Sequence, residues 1–226
     1  MNNELLLLLQ LAGGTFPSGG FSQSWGFETY VAEKRISDAE GCRKFLITYL
    51  DSVIGACEGP ILREAIERTG SWDIQALTNL EELSLSMKLT KESRESSLRT
   101  GKALLRILTE IKEDSEMTGF YENYKKSGIT NAVAFGIVCG RSGIDIAKAM
   151  EAYVFSVVSG IVQSAVKLIP LGNTEAQKLL LEMQPYMTEC VRKSMDLALV
   201  DVTNFSPGFD LAGILHETLP VRLYMS

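Results

Sequence analysis

The side chains that most often do chemistry in proteins are sparse in this sequence. Its 226 residues include one histidine, His216, and four cysteines, Cys42, Cys57, Cys139 and Cys190. The two closest cysteines are fifteen positions apart, whereas a structural zinc site needs four cysteine or histidine ligands, usually with two of them close in sequence. Scattered thiols are typical of small buried residues in a reducing compartment. We therefore expect no catalytic residue, no closed metal site and no firmly bound cofactor, with His216 as the only candidate metal ligand.

Other motifs for chemistry are incomplete. The string from Gly136 to Ser142 is one residue short of a phosphate-binding loop, has arginine in place of the lysine and lies in a predicted helix. Adjacent carboxylates such as Glu81 and Glu82 are interpreted as parts of solvated helical faces. An unrelated helical enzyme remains an alternative at this point. A concave site with convergent polar groups would indicate an enzyme, and flat apolar patches would indicate a scaffold.

Two features could bind a partner. His216 is interpreted as a half-exposed residue at the end of a short helix, and the alternative is a metal or proton contact at an interface to which two copies each bring one imidazole. Six basic residues lie within nineteen positions, most of them on one helical face: Lys88, Lys91, Arg94, Arg99, Lys102 and Arg106. This face is either simply solvated or a docking surface for an acidic partner, because clustered charge steers association.

Composition argues against nucleic-acid and membrane binding. The chain has 22 Lys and Arg against 28 Asp and Glu, a net charge of -6, which does not suit a protein that follows nucleic-acid phosphates. The first charged residue, Glu4, is acidic, and the apolar run over 5–9 is far shorter than the roughly 20 residues of a membrane span. We expect a cytoplasmic protein.

Helical periodicity dominates the chain. Helices are predicted over 3–12, from Ser22 to about Glu33, over 38–58, after the break at Gly59-Pro60, after 71–73, and over 91–116, 130–140, 145–168 and 174–200. The first is apolar on all sides and is expected to be buried. A kink or break is expected in the last one, before Pro185.

The β-branched segments 130–140 and 145–168 could be strands if each is taken alone. A helix is favoured because apolar residues of the second segment recur at spacings of three and four, namely Met150, Val154, Val157, Ile161, Ala165 and Leu168. Small residues in these segments are expected to let another helix approach closely: Gly136, Gly140, Ser156, Gly160 and Ser164.

The predicted fold class is therefore all-α. We expect a single-domain compact helical bundle over 1–200 and a partly irregular C-terminal tail over 201–226. The tail has Pro and Gly punctuation but ends in apolar Val221, Leu223 and Tyr224. Because these side chains need a cover, the tail is expected to become ordered when a partner binds.

Four strings, in order along nearly the whole chain, carry a family resemblance. The four strings are Phe16-Pro-Ser-Gly-Gly-Phe-Ser-Gln-Ser-Trp-Gly-Phe-Glu28, Arg94-Glu-Ser-Ser-Leu-Arg-Thr-Gly-Lys102, Val166-Lys-Leu-Ile-Pro-Leu-Gly172, and His216-Glu217 with Val221-Arg-Leu-Tyr-Met-Ser226. Together they resemble the UreF family of urease accessory proteins. The sequence departs from the family pattern at Gln23, where histidine is common, and at Trp25, where tyrosine is common.

The resemblance implies a maturation factor without enzymatic activity. Proteins of this family are all-α and dimeric, and bind the accessory protein UreD, also called UreH. That complex recruits the GTPase UreG to apo-urease for GTP-dependent nickel insertion, so nickel is handled by the complex. The partner-binding residues implied here are Phe21, Ser22, Trp25, Glu28, Arg94, Arg99, Lys102, His216, Glu217, Arg222 and Tyr224. The alternative is a direct activator of the GTPase that supplies Arg222 or Arg99 as an arginine finger.

Overall fold

A computed structural model describes residues 4–225, apart from the side chain of Phe21. The α-helices are α1 (Glu4–Ala12), α2 (Phe27–Ala32), α3 (Ala39–Tyr49), α4 (Gly59–Gly70), α5 (Ile74–Ser86), α6 (Lys91–Ile111), α7 (Ser115–Tyr124), α8 (Asn131–Arg141), α9 (Ile146–Leu168), α10 (Asn173–Asp196) and α11 (Pro207–His216). Short 3₁₀ turns span Gly20–Ser22 and Leu199–Asp201, and a π-helical segment spans Leu50–Glu58. No strand occurs in this described range, so the all-α expectation is confirmed.

The centre of the bundle is built on helices α4, α8 and α9. Helix α8 lies against α4 where a Cβ atom at Gly136 would stand 2.5 Å from Cβ of Ala65, and one at Gly140 would stand 2.7 Å from Cβ of Thr69. The two glycines therefore allow the predicted close approach. The prediction is wrong at Gly160, because nothing lies within 4 Å of a Cβ atom placed there.

The predicted break at Gly59-Pro60 does not occur. Helix α3 continues through the π-helical segment into α4, and Pro60 lies in the first turn of α4. A π-helical turn bonds over five residues instead of four, which gives the wider backbone that a proline without an N–H can follow. The π-helical segment also offers the carbonyl of Ala56 to the tail, where it accepts the N–H of Thr203 at 3.0 Å.

Helix α1 is not buried on all sides as expected. Leu8 and Leu11 are buried, but Leu5, Leu6 and Leu9 are each at least 60% exposed. The helix lies on the surface of the bundle with one face inward, and Glu4 accepts the backbone N–H of Asp145 at the start of α9.

The single helix expected over 91–116 is divided in two. Helix α6 ends at Ile111, and Asp114 caps α7 by accepting the N–H of Met117 at 2.9 Å. The same carboxylate pairs with Arg141 at 2.7 Å. The turn thus places a short carboxylate where it satisfies both a free helical N–H and a cation of α8.

A side chain of α4 fixes the end of α10. The helix runs through Pro185 without a break, in contrast to the expectation. At its end, one guanidinium nitrogen of Arg63 donates to the carbonyls of Ser194, Met195 and Leu197. Since the last carbonyls of a helix lack partners within it, Arg63 sets the point at which the chain leaves α10 for the tail.

Two helical stretches have the length and mean hydropathy of a membrane span, Ala39–Gly70 and Ile146–Leu168. In each of them 67% of the most apolar window is buried inside the fold. Both are core helices of the bundle.

Candidate partner-docking site

A tight backbone turn before α2 positions Glu28, the first side chain of the candidate site. Trp25 and Gly26 both have positive φ angles, 54° and 85°. This left-handed pair separates the 3₁₀ turn Gly20–Ser22 from α2, so the predicted start of the helix at Ser22 is wrong. Helix α2 instead begins at Phe27 and carries Glu28, which is 5% exposed, in its first turn.

The carboxylate of Glu28 connects the beginning of the chain to its end. Its Oε2 lies 2.9 Å from Nε2 of His216. Its two oxygens also accept the backbone N–H groups of Leu223 at 2.7 Å and of Tyr224 at 3.1 Å. Two of the residues implied by the family resemblance, Glu28 and His216, are therefore in direct contact.

The Nδ1 edge of the His216 ring lies against helix α6. Nδ1 lies 2.7 Å from Oε2 of Glu92, an ion-pair distance, although the two groups are not aligned as a hydrogen bond. Oε1 of Glu92 lies 3.1 Å from a guanidinium nitrogen of Arg222. We call Glu28, Glu92, His216 and Arg222 the tail clamp.

The tail clamp joins α2, α6 and the tail. His216 is fully buried, and its two ring nitrogens face the carboxylates of Glu28 and Glu92. Arg222, which stays partly exposed, adds a cation beside Glu92, so the buried carboxylates have polar partners on the tail.

In this arrangement neither ring nitrogen of His216 is free to bind a metal. Among the residues that the structure describes, no group of three or more His, Cys, Asp or Glu side chains is placed to hold an ion. The interpretation of His216 as half-exposed is wrong, because the tail folds back over it.

The predicted basic face divides into residues of α6 that are at least partly exposed and one buried residue that precedes the helix. Arg94 and Arg99 are exposed and Lys102 is half-buried. Arg99 donates from its side chain to the carbonyl of Glu95 in its own helix. Lys88 is not part of this face, because it is 7% exposed and pairs with Glu58 at 2.5 Å.

Part of the implied partner-binding set lines one shallow cleft. Arg99 of α6 and Glu217 and Arg222 of the tail are its neighbours there, together with Lys91 and Met225. Arg94 and Lys102 do not line it. The structure thus brings part of the predicted basic helix and part of the tail to one surface.

The remaining implied residues lie around the tail clamp. The carbonyl of Ser22 accepts the N–H of Met225 at 2.9 Å, and Trp25 is half-buried. Tyr224 is buried with its hydroxyl unpaired among the described residues, and the ammonium of Lys167 lies 5.8 Å from its ring centre. The side chain of Phe21, also implied, lies outside the described part of the chain.

The tail turns apolar side chains outward while the tail clamp holds it. The exposed large apolar residues of this segment, among those described, are Phe205, Leu211, Ile214, Val221, Leu223 and Met225. Single exposed leucines are ordinary, but a group on one short segment is typical of an interaction surface. The expectation that this tail becomes ordered upon partner binding stays a prediction.

Three buried polar residues were missed in the sequence. Glu92 is not singled out by the sequence, although it lies in the first turn of α6 and contacts His216 and Arg222 of the tail. Glu81 was interpreted as solvated, but it is buried and accepts the N–H and hydroxyl of Thr130 before α8. Tyr153 donates its hydroxyl to Glu58 at 2.9 Å. Lone carboxylates in polar stretches gave no signal of these partners.

Comparison with known proteins decides the family. The family model UreF matches residues 36–184. The chain is 34% identical over 226 residues to the urease accessory protein UreF of Bacillus sp. (strain TB-90), covering 99% of this chain and 100% of that protein. The chain belongs to the UreF family.

Other UreF proteins are similar over their whole length. The urease accessory protein UreF of Geobacillus kaustophilus (strain HTA426) is 34% identical, with 100% of this chain and 99% of that protein covered. That of Lachnoclostridium phytofermentans is 31% identical, with 100% of each chain covered. Residues 36–184 exclude Glu28 and His216, but these alignments extend over the tail clamp and the tail. The UreF resemblance drawn from the four strings is confirmed.

Proposed function

We propose that this UreF-family chain is a non-enzymatic urease maturation factor. As a scaffold, together with UreD/UreH, it recruits the GTPase UreG to apo-urease for GTP-dependent nickel insertion. The observation that carries the proposal is the tail clamp, which fixes a segment of outward-facing apolar side chains beside the cleft of α6. The titratable side chains of the tail clamp are paired with one another. Such pairing suits a cluster that positions a surface better than one that turns over a substrate.

In this proposal nickel is cargo of the assembled complex. We further propose that the chain holds no resident nickel or other cofactor. In support, both nitrogens of His216 lie against carboxylates. The chain works in the cytoplasm as a homodimer, with each copy presenting one tail. UreD/UreH meets the apolar tail, and acidic regions of a partner meet the exposed arginines of α6.

Substitutions on the outward face of the tail test the docking role. We expect Ile214→Asp and Leu223→Asp to abolish co-purification with UreD/UreH and urease activation in cells that lack only this protein. Both side chains are more than half exposed, so the fold itself should tolerate the change. Leu181→Asp on α10, where the leucine is 64% exposed, is the matched control and should assemble normally.

Normal assembly by both tail variants would contradict the proposal. Deletion of 205–226 is a harsher version of the same test, expected to leave a folded bundle that no longer assembles. Because the deletion also strips Glu28 of its partners, circular dichroism should accompany it.

The arginine-finger alternative is favoured by one observation. Arg99 is exposed on the cleft, and its only hydrogen bond among the described residues is to the carbonyl of Glu95 in its own helix. Its guanidinium can therefore reach a partner without breaking an ion pair, whereas that of Arg222 is already held by Glu92.

A further inference from the structure

A cavity of about 70 Å³ lies between the tail helix α11 and the body of the bundle. Its walls include the aromatic side chains of Trp25, Tyr49 and Phe209 and the carboxyl group of Asp210. The rings of Tyr49 and Phe209 meet edge to face, with centres 5.2 Å apart. The cavity shares Glu92 with the tail clamp, but the proposed docking role assigns nothing to Tyr49, Phe209 or Asp210.

The charged groups along the cavity leave one negative charge without a partner. Glu58 pairs with Lys88, and Glu92 lies against His216 and Arg222 of the tail clamp. Asp210, in the first turn of α11, has neither a hydrogen bond nor an ion pair from its side chain among the described residues. Burial raises the pKa of this carboxyl group, as expected when a carboxylate loses water without gaining a cation.

Tyr49 is a second cavity-lining residue with an unpartnered polar group. The residue is 5% exposed, and its hydroxyl has no hydrogen-bond partner among the described residues. Oε2 of the nearby Glu58 is taken by the hydroxyl of Tyr153. A ligand in the cavity would give the hydroxyl of Tyr49 a partner.

We propose that this cavity binds a primary amine in its ammonium form. Asp210 supplies the balancing charge, and the oxygen of Tyr49 accepts one N–H. The rings of Trp25 and Phe209 add cation–π attraction. The described residues include no cluster of three or more metal-type ligands, so an organic cation suits the site better than a metal ion.

The size of the cavity limits the group that enters. Its volume is roughly that of two water molecules in the liquid, which admits methylammonium or the end of a lysine side chain. The ammonium group comes either from a small free amine or from a lysine of a partner, and two probes separate these sources. Methylammonium chloride represents the free amine, and Nα-acetyl-lysine amide represents the lysine.

Tryptophan fluorescence provides the test. The chain has two tryptophans, so Trp72→Phe leaves Trp25 in the cavity wall as the only reporter. We expect a saturable change of emission with at least one probe and not with sodium chloride of equal ionic strength. Asp210→Asn should raise the Kd about tenfold, the equivalent of about 1.4 kcal/mol, and Tyr49→Phe should raise it by a smaller factor.

Asp201→Asn is the matched control, because Asp201 is an exposed carboxylate of the same tail, and its Kd should equal that of the parent. Saturation with methylammonium alone assigns a free amine, and saturation with the lysine derivative assigns a partner's lysine. The proposal is overturned if neither probe saturates, or if both Asp210→Asn and Tyr49→Phe bind as the parent does. Partner pull-downs with Asp210→Asn keep this result separate from the docking role.

Discussion

The imidazole Nε2 of His216 lies 2.9 Å from Oε2 of Glu28, although 188 positions separate the two residues in the chain. The same carboxylate accepts the backbone N–H groups of Leu223 and Tyr224. One buried side chain of the short helix α2 therefore holds both the last turn of α11 and the residues beyond it. In the proposed function, the position of the tail therefore depends strongly on Glu28, alongside the contacts of Glu92 with His216 and Arg222.

Replacement of Glu28 should release the tail. We expect Glu28→Gln to lower the free energy of unfolding by about 1–3 kcal/mol, because one amide oxygen cannot replace both carboxylate oxygens that hold His216, Leu223 and Tyr224. Trypsin cleavage after Arg222 should become faster in the same variant. Glu217→Gln, an exposed neighbour of His216, is the control and should change neither urea unfolding nor cleavage.

Substitution of the two exposed arginines of the cleft distinguishes a scaffold from a GTPase activator. A functional arginine finger contributes about 10³–10⁵ in the rate of GTP hydrolysis. For a scaffold we expect Arg99→Ala and Arg222→Ala to leave GTP turnover by UreG in the assembled complex unchanged, as should the control Arg106→Ala on the same helix. A return to the basal rate of UreG with Arg99→Ala alone would favour the activator instead.

The buried carboxyl group of Glu81 should make stability depend on pH. Burial raises its pKa to about 7, against the hydrogen bonds from Thr130 and the charge of Lys88, which lower it. Because the folded-state pKa exceeds the unfolded one, this stabilisation is complete below about pH 4.5 and is lost as the pH rises through about 7. The total is on the order of 3 kcal/mol.

Urea unfolding of the parent and of Glu81→Gln between pH 5 and 8, on about a unit spacing, measures this effect. The glutamine variant should show the flatter pH profile, while the exposed Glu82→Gln should follow the parent. Parallel profiles for all three proteins would show that Glu81 does not titrate in this range.

The glycines of the two core helices should respond in opposite directions to alanine. Gly136→Ala forces a methyl group to within 2.5 Å of Cβ of Ala65, so α4 and α8 must separate, at a cost of about 1–3 kcal/mol. Gly160→Ala meets nothing within 4 Å and should stabilise the helix by roughly 0.5–1 kcal/mol. Thermal unfolding followed by circular dichroism measures both, and equal shifts would contradict the packing.

The sequence predicts the helices of this fold better than their contacts. Apolar spacing identified α9 in spite of its β-branched residues, and small residues correctly indicated the approach at Gly136. Spacing along one helix contains no information on which distant chain segment covers it. Glu92 therefore looked like a surface charge, and Lys88 looked like part of a basic face.

For the same reason, only part of the candidate site could be predicted from the sequence. Family resemblance singled out Glu28 and His216, but not that the two touch. The continuity of α3 and α4 was missed because Gly-Pro usually ends a helix, and a π-helical turn is too rare to expect from a sequence.

The π-helical segment Leu50–Glu58 also sets the direction in which α4 faces. Each residue of an α-helix turns the chain by about 100°, and a wider turn takes up more residues before the next one begins. The π-helical segment therefore rotates α4 about the axis that it shares with α3. This rotation turns Gly59 and Arg63 toward α10. A one-residue deletion here would leave the helix almost as long but would turn Arg63 away from the carbonyls that it holds. Helical phase near Arg63 thus sets where the chain leaves α10 for the tail, although Arg63 lies 131 positions before Ser194.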